Sequence, residues 1–253
     1  MKILFIGDIY GKPGLDMLSH YLPDLKSTYR PNVIIANAEN AAYGRGINLK
    51  IYKDLMNLGI HMLTMGNWVW GNKELFEFIE EANIVRPFNF REAPGKGALT
   101  VNYNGKILLV INALGRTFMN ANMNDPFTGI DAIISQIPHD YVMIDMHAEA
   151  TSEKVALGHY LDGRVDAVVG THTHIPTADE RKLPYGTLYI TDVGMTGPLN
   201  GVIGVTKEIV INRFLNGFSI PNEVAPGPKQ LNAVIMDLEK KTIERIHIES
   251  ETV

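Results

Sequence analysis

Residues 33–40 read VIIANAEN, a nearly continuous apolar run of strand length that ends on a carboxylate and an amide, Glu39 and Asn40. A run with so little polar alternation is what a strand buried on both faces requires. The pattern recurs along the chain. ILFIG (3–7) ends on Asp8, MLTMG (62–66) on Asn67, YVMIDM (141–146) on His147 with Glu149 close behind, and AVVG (167–170) leads into His172 and His174. ILLVINAL (107–114) and LYITDVG (188–194) are further runs of the same kind.

Helical patterns lie between these strands. Pro13 sits where a first helical turn accepts it, and Leu15, Leu18, Leu22 and Leu25 follow at helical spacing, with Pro23 arguing for a kink or an early stop. Asn48 reads as an N-cap and Gly59 as a stop for the next helix; Asn72 is placed to cap NKELFEFIEEA, and Asp125-Pro126 to open another helix. The stretch 216–232, rich in Pro and Gly, reads as a long surface loop, and NAVIMDLEKKTIERIHIE (232–249) as a closing hairpin. With no linker, repeat or low-complexity run to divide it, the chain is expected to form one α/β domain over 1–253.

Composition narrows the chemistry. A net charge of -5 gives no broad basic field for a nucleic-acid backbone, although a metal site supplies local positive charge for a small nucleotide or an RNA end. There is no cysteine, so disulfides and thiolate metal sites are excluded. The apolar start MKILFIGD is too short for a signal peptide or a membrane span, so the chain reads as a soluble cytoplasmic protein.

Asp8, Glu39, Asn40, Asn67, His147, His172 and His174 all follow apolar runs. Ligands bind at the carboxyl ends of strands in open α/β sheets. Singly, each residue has an ordinary explanation: a turn for Asp8 and Asn67, a half-buried hydrogen-bonded ring for His147. Those explanations would have to hold at five strand ends together. His172 and His174, two apart in an extended segment, would turn both rings to one side, toward one metal centre. Oxygen and imidazole donors without sulfur suit manganese, iron, zinc or magnesium. Two such ions about 3.5–4 Å apart, bridged by a carboxylate for which Glu39 is the candidate, would polarise a phosphoryl group and activate water.

The motifs GDIYGKPG, NAENAAYGRG, TMGN, VRPFN, DMHAEATSEK, GTHTHIPTADER and ITDVGMTGP, in this order between Lys2 and about Phe214, resemble those of the YmdB-like branch of the calcineurin-like metallophosphoesterases. The resemblance implies a four-layer α/β/β/α sandwich with two mixed sheets flanked by helices. It also implies hydrolysis of 2′,3′- or 3′,5′-cyclic nucleotides or related phosphodiesters. By position it assigns Asp8, Glu39, Asn40 and His174 to one metal, and Glu39, Asn67, His147 and His172 to the other. Iron or manganese are the usual occupants, with zinc or magnesium admissible, and a homo-oligomer is left open.

One position departs from the family. Where its members read Gly-Asn-His-Thr-Trp, this chain reads Gly66-Asn67-Trp68-Val69-Trp70. The missing His is the one to which the family assigns protonation of the leaving oxygen, and an indole N–H is no usable acid near neutral pH. Three readings stay open: a slowed phosphodiesterase, a Trp68 that stacks on a base in a protein that binds nucleotide or an RNA end, and a substitute acid such as a metal-bound water or a nearby His, with His159 and His61 in reserve. Arg45 and Lys12 are candidates for phosphate contact or plain surface charge. Thr171 and Thr173 are candidate partners of the histidine rings, Asp192 is a candidate to orient a ligand His, and Trp70 reads as packing.

Overall fold

The computed structural model describes residues 1–90, 92–119, 123–218 and 220–251. In chain order the strands are β1 (Lys2–Ile6), β2 (Asp8–Ile9), β3 (Val33–Asn37), β4 (Met62–Thr64), β5 (Ile84–Val85), β6 (Ala98–Tyr103), β7 (Lys106–Leu114), β8 (Tyr141–His147), β9 (Ala167–Thr171), β10 (Arg181–Lys182), β11 (Leu188–Ile190), β12 (Met195–Pro198), β13 (Lys229–Asp237) and β14 (Thr242–Ser250). The helices are α1 (Gly11–Tyr29), α2 (Leu49–Asn57), α3 (Pro126–Gln136), α4 (Thr151–Leu161) and α5 (Lys207–Asn216).

Two mixed sheets result. The first runs β2-β12-β13-β1-β3-β4-β5, with β14 beside β13; the second runs β10-β11-β9-β8-β7-β6. Within the first, β1, β3, β4 and β5 are parallel, and within the second, β7, β8, β9 and β11 are parallel. Strand alternation sorts the side chains into layers. Ile3, Phe5, Val33 and Ile35 meet Leu108, Val110, Met143 and Val169 between the sheets. Leu4, Ile6 and Ile34 turn the other way, onto Leu18 and Leu22 of α1. Leu109, Ile111 and Ile144 pack against Ile130 of α3 and Leu157 of α4. The order is helix, sheet, sheet, helix, as the resemblance implied. Both faces of the central strands are buried, which is why their sequences are continuously apolar.

Local departures have local causes. Pro23 does not end α1, which continues to Tyr29 with Leu18, Leu22 and Leu25 buried on the first sheet. Asn72 caps its segment through Glu74 N at 3.0 Å, but the segment winds only into a short 3-10 turn, Lys73–Glu77. Leu75 and Ile79 enter the core with Phe78 packed against it, while the exposed Phe76 stacks on Trp70. Trp70 is packing, as expected. The 216–232 segment gives up its last residues to β13, and Val224 within it bridges Val205. Asn48 and Asp125 cap α2 and α3 as read from the sequence. Among the described residues, no helix is long and apolar enough to cross a membrane.

Candidate metal centre

Asp8 opens β2 just after β1, Glu39 and Asn40 follow β3, Asn67 follows β4, His147 ends β8, and His172 and His174 follow β9. Parallel pairing sets the ends of β1, β3 and β4 on one edge of their sheet and those of β8 and β9 on one edge of theirs. The two edges coincide at these side chains.

Three atoms gather on His147 Nε2: Glu39 Oε1 at 3.0 Å, Asn67 Oδ1 at 3.0 Å and His172 Nδ1 at 3.0 Å. The other ring atoms say where the protons are. Thr171 Oγ1 donates to Asp145 Oδ1 at 2.7 Å and therefore accepts from His147 Nδ1–H at 2.9 Å, leaving His147 Nε2 a bare lone pair. His172 Nε2 lies 3.1 Å from Glu149 Oε2, so it carries the proton and Nδ1 is bare. With Glu39 ionised, four acceptor atoms then face one another with no proton to share, an arrangement that a cation satisfies.

A second pair repeats the logic. His174 Nδ1 donates to the carbonyl of Ile203 at 2.9 Å, so its Nε2 is bare, and that atom lies 3.2 Å from Asn40 Oδ1. The Asn40 amide is oriented by its own Nδ2, which donates to Gly44 O at 2.9 Å. Asp8 Oδ2 accepts from His172 N at 3.2 Å, whereas its buried Oδ1 accepts no hydrogen bond. A side chain at Gly66 would collide with His147 Nε2 and Glu39 Oε2, so only glycine leaves the space between the ligand atoms open.

The charges are ill at ease without a cation. Burial pushes Glu39 up to about 7, against the Trp68 N–H that donates to its Oε2 at 2.8 Å. Burial and the neighbouring acids Asp192, Glu39 and Asp145 hold Asp8 well above the carboxylate range. Burial drives His147 well below its ordinary value, and burial with the His147 charge takes His172 down to about 4. Bound metal would stabilise the ionised acids and the neutral imidazoles together. The residues present fit such a group.

His172 and His174 reach their places differently from the extended segment expected. Both have positive φ, 104° and 66°, so the chain turns at each and the rings diverge, His172 toward His147 and His174 toward Asn40. Thr173, between them, fastens the turn by donating N–H and Oγ1–H to Asp192 Oδ2 at 3.1 and 2.8 Å. The same oxygen takes Lys154 Nζ at 2.7 Å in a buried ion pair. Asp192 thus holds the loop and not an imidazole ring, a correction to the role considered for it. Thr171 holds a ring as anticipated.

Asp145, Asn37, Lys154 and the Ile203 carbonyl went unmarked in the sequence. Asp145 and Asn37 were visible as polar residues inside buried apolar runs; a carbonyl leaves no trace. The two reserve histidines lie elsewhere. His61 precedes β4, at the edge away from the ligands, and accepts from Ile34 N at 3.1 Å. His159 is exposed near the end of α4, about 12 Å along the axis from the helix start. Lys12 is a surface charge, paired with Asp16 at 2.7 Å.

Over the ligands opens a cleft of about 380 Å³, lined by Tyr10, Arg45, Trp68, Glu149, Ile203 and Asn222 among others. Comparison with known proteins decides the family: the model of the YmdB-like proteins matches residues 4–250. The chain belongs to the YmdB-like family. It is 51% identical over 253 residues to the 2′,3′-cyclic-nucleotide 2′-phosphodiesterase of Bacillus subtilis (strain 168), covering 98% of this chain and 96% of that one. A crystal structure of a hypothetical protein from Thermus thermophilus superposes with a TM-score of 0.95 at 42% identity, covering 99% of this chain and 100% of that one. That of a phosphatase from Mycoplasma pneumoniae gives 0.94 at 37% identity, covering 99% and 94%. YmdB-like membership accounts for the four layers and makes the chain a metallophosphoesterase, a hydrolase.

Proposed function

We propose that this YmdB-like hydrolase cleaves 2′,3′-cyclic nucleotides, and 3′,5′-cyclic or related phosphodiesters as well, as one cytoplasmic domain spanning 1–253. The observation that carries the reading is the set of proton-free donor atoms at Glu39, Asn67, His147 and His172 beneath an open cleft. The name of the Bacillus relative supplies the substrate class.

Glu39, Asn67, His147 and His172 would hold one ion and Asp8, Glu39, Asn40 and His174 the other, iron or manganese, with Glu39 shared. Bound, the ions supply Lewis acidity that draws charge from the phosphoryl oxygens. The chain's own residues do the positioning. Thr171 and Asp145 fix the His147 tautomer, Ile203 O fixes that of His174, and Gly44 O turns the Asn40 oxygen inward.

Proton supply to the leaving oxygen is the weak step. Trp68 stands at the family's acid position, on the cleft, and the phenol of Tyr10 is raised further by burial, so it is no acid at neutral pH. Losing a general acid costs about 10²–10⁴ in rate, most for an alkoxide leaving group and least for a stable phenolate. Turnover of bis(p-nitrophenyl) phosphate by manganese-loaded protein tests the assignment. Hydrolysis that stops on chelation is expected. Tight binding of cyclic nucleotide with the diester left intact would instead support a nucleotide-binding role.

A further inference from the structure

Arg45 lies on the loop that carries Glu39 and Asn40, and it is built toward the cleft. Asn40 Nδ2 clamps Gly44 O at 2.9 Å, Gly46 N donates to Glu39 O, and Arg45 N donates to Ala42 O at 3.1 Å. The loop is then pressed onto the one after β4. A Cβ on Gly46 would stand 2.5 Å from Asn72 N, and one on Gly71 would stand 3.1 Å from the Arg45 carbonyl carbon. This close approach lays the Arg45 guanidinium over the Trp68 ring, 4.2 Å from its centroid. Trp68 is itself anchored by its backbone N–H on Glu39 Oε2 at 2.8 Å.

Four other arginines have acceptors of their own. Arg164 pairs with Asp131, Arg116 with Asp125, Arg245 with Glu180, and Arg86 donates to backbone carbonyls. Among the described residues Arg45 has the indole face and no hydrogen-bonded acceptor, although Glu39 and Glu149 share its cleft. A guanidinium carries a planar fork of N–H donors matched to phosphate oxygens, and stacking on an indole fixes the plane while leaving those edge donors free.

We propose that Arg45, held by Trp68, binds a non-bridging phosphate oxygen of the phosphodiester, and of the phosphomonoester product, beside the metal centre. The inference rests on the phosphodiesterase reading and gives the residue at the missing acid's position a role of its own, since Trp68 becomes a positioning residue for Arg45. Arg45 contributes affinity, so its loss should raise KM more than it lowers kcat.

The test is the dissociation constant of inorganic phosphate for manganese-loaded protein, measured by calorimetry with metal content checked in the same samples. Arg45→Gln is expected to weaken phosphate about tenfold or more. Trp68→Leu, which leaves the cation unsupported, should weaken it about two- to fivefold, and Arg45→Lys should fall between natural protein and Arg45→Gln. A Trp70→Phe background leaves Trp68 the sole tryptophan, and phosphate should change its emission only while Arg45 is present. An unchanged phosphate constant in metal-replete Arg45→Gln overturns the inference. Phosphate binding is read without turnover. Arg45-dependent binding by a protein that hydrolyses no diester would therefore sink the activity and spare the clamp, and the converse result would sink only the clamp.

Discussion

Asn37 of β3 donates through Nδ2 to Asp145 Oδ2 of β8 at 3.2 Å, a hydrogen bond between the two sheets with both residues fully buried. Each precedes a site residue by two positions along the chain, Glu39 and His147. The alternation that sends Ile35 and Met143 into the inter-sheet core also brings this polar pair together beneath the site. Asp145 passes the constraint on through Thr171 to the His147 ring.

Removing that relay should loosen the metal and spare the fold. Thr171→Val keeps the shape of the side chain and deletes the acceptor of His147 Nδ1–H. Metal affinity is expected to fall about 10–100-fold, as titration against a chelator would show. Affinity equal to that of the natural chain would mean the relay does not set the ring.

The buried Lys154–Asp192 pair under the His172–His174 turn makes a different prediction. Lys154→Met leaves Asp192 uncompensated, which should cost about 3–5 kcal/mol of stability in urea denaturation. A loss under about 1 kcal/mol, the scale of an ordinary surface pair, would show that Asp192 is sustained by Thr173 and by the Gly194 N–H that donates to its Oδ1 at 2.8 Å.

Acidity should govern metal loading. Metal-free Glu39 and Asp145 titrate at about 7, above their ordinary carboxylate values. Between that ordinary range and about 7 the folded chain therefore holds more protons than the unfolded one, and metal-free stability declines as pH rises toward 7. Metal must displace the Glu39 proton below about 7, and the Asp8 proton held well above its ordinary value by burial, so affinity should climb with pH through about 7. His172, pushed down to about 4, does not compete above about pH 5. The melting-temperature gain on adding manganese should accordingly be larger at about pH 8 than at about pH 6. A gain that shrinks with rising pH would place the displaced proton elsewhere.

Trp68→His should restore proton supply. The kcat for 2′,3′-cyclic AMP is expected to rise about 10²-fold or more, with kcat for bis(p-nitrophenyl) phosphate nearly unchanged. Equal gains on both substrates would point to positioning and not to acid catalysis.

The parallel strands were legible because burial on both faces writes itself as uninterrupted apolar runs, and the site was legible because its residues end those runs. The edges were less so. ALTVNY forms β6, half exposed at the sheet margin, and carries too little apolar signal to be read as a strand. LYITDVG stops as a strand at Ile190 because Asp179 Oδ1 takes Thr191 N at 3.1 Å and Thr177 Oγ1 takes Asp192 N at 2.9 Å. The turn at His172 and His174 depends on Asp192, a contact across 19 residues that residue spacing does not encode. Arg45 reads alone as either a phosphate contact or surface charge; only the glycine contacts between two loops set it on Trp68.

The most direct trial of the phosphodiesterase assignment is hydrolysis of 2′,3′-cyclic AMP by the natural chain with metal content counted in the same sample. Manganese-loaded protein should turn the substrate over slowly, lose that activity on chelation and regain it on reloading. Protein that carries its metal and leaves both 2′,3′-cyclic AMP and bis(p-nitrophenyl) phosphate intact would contradict it.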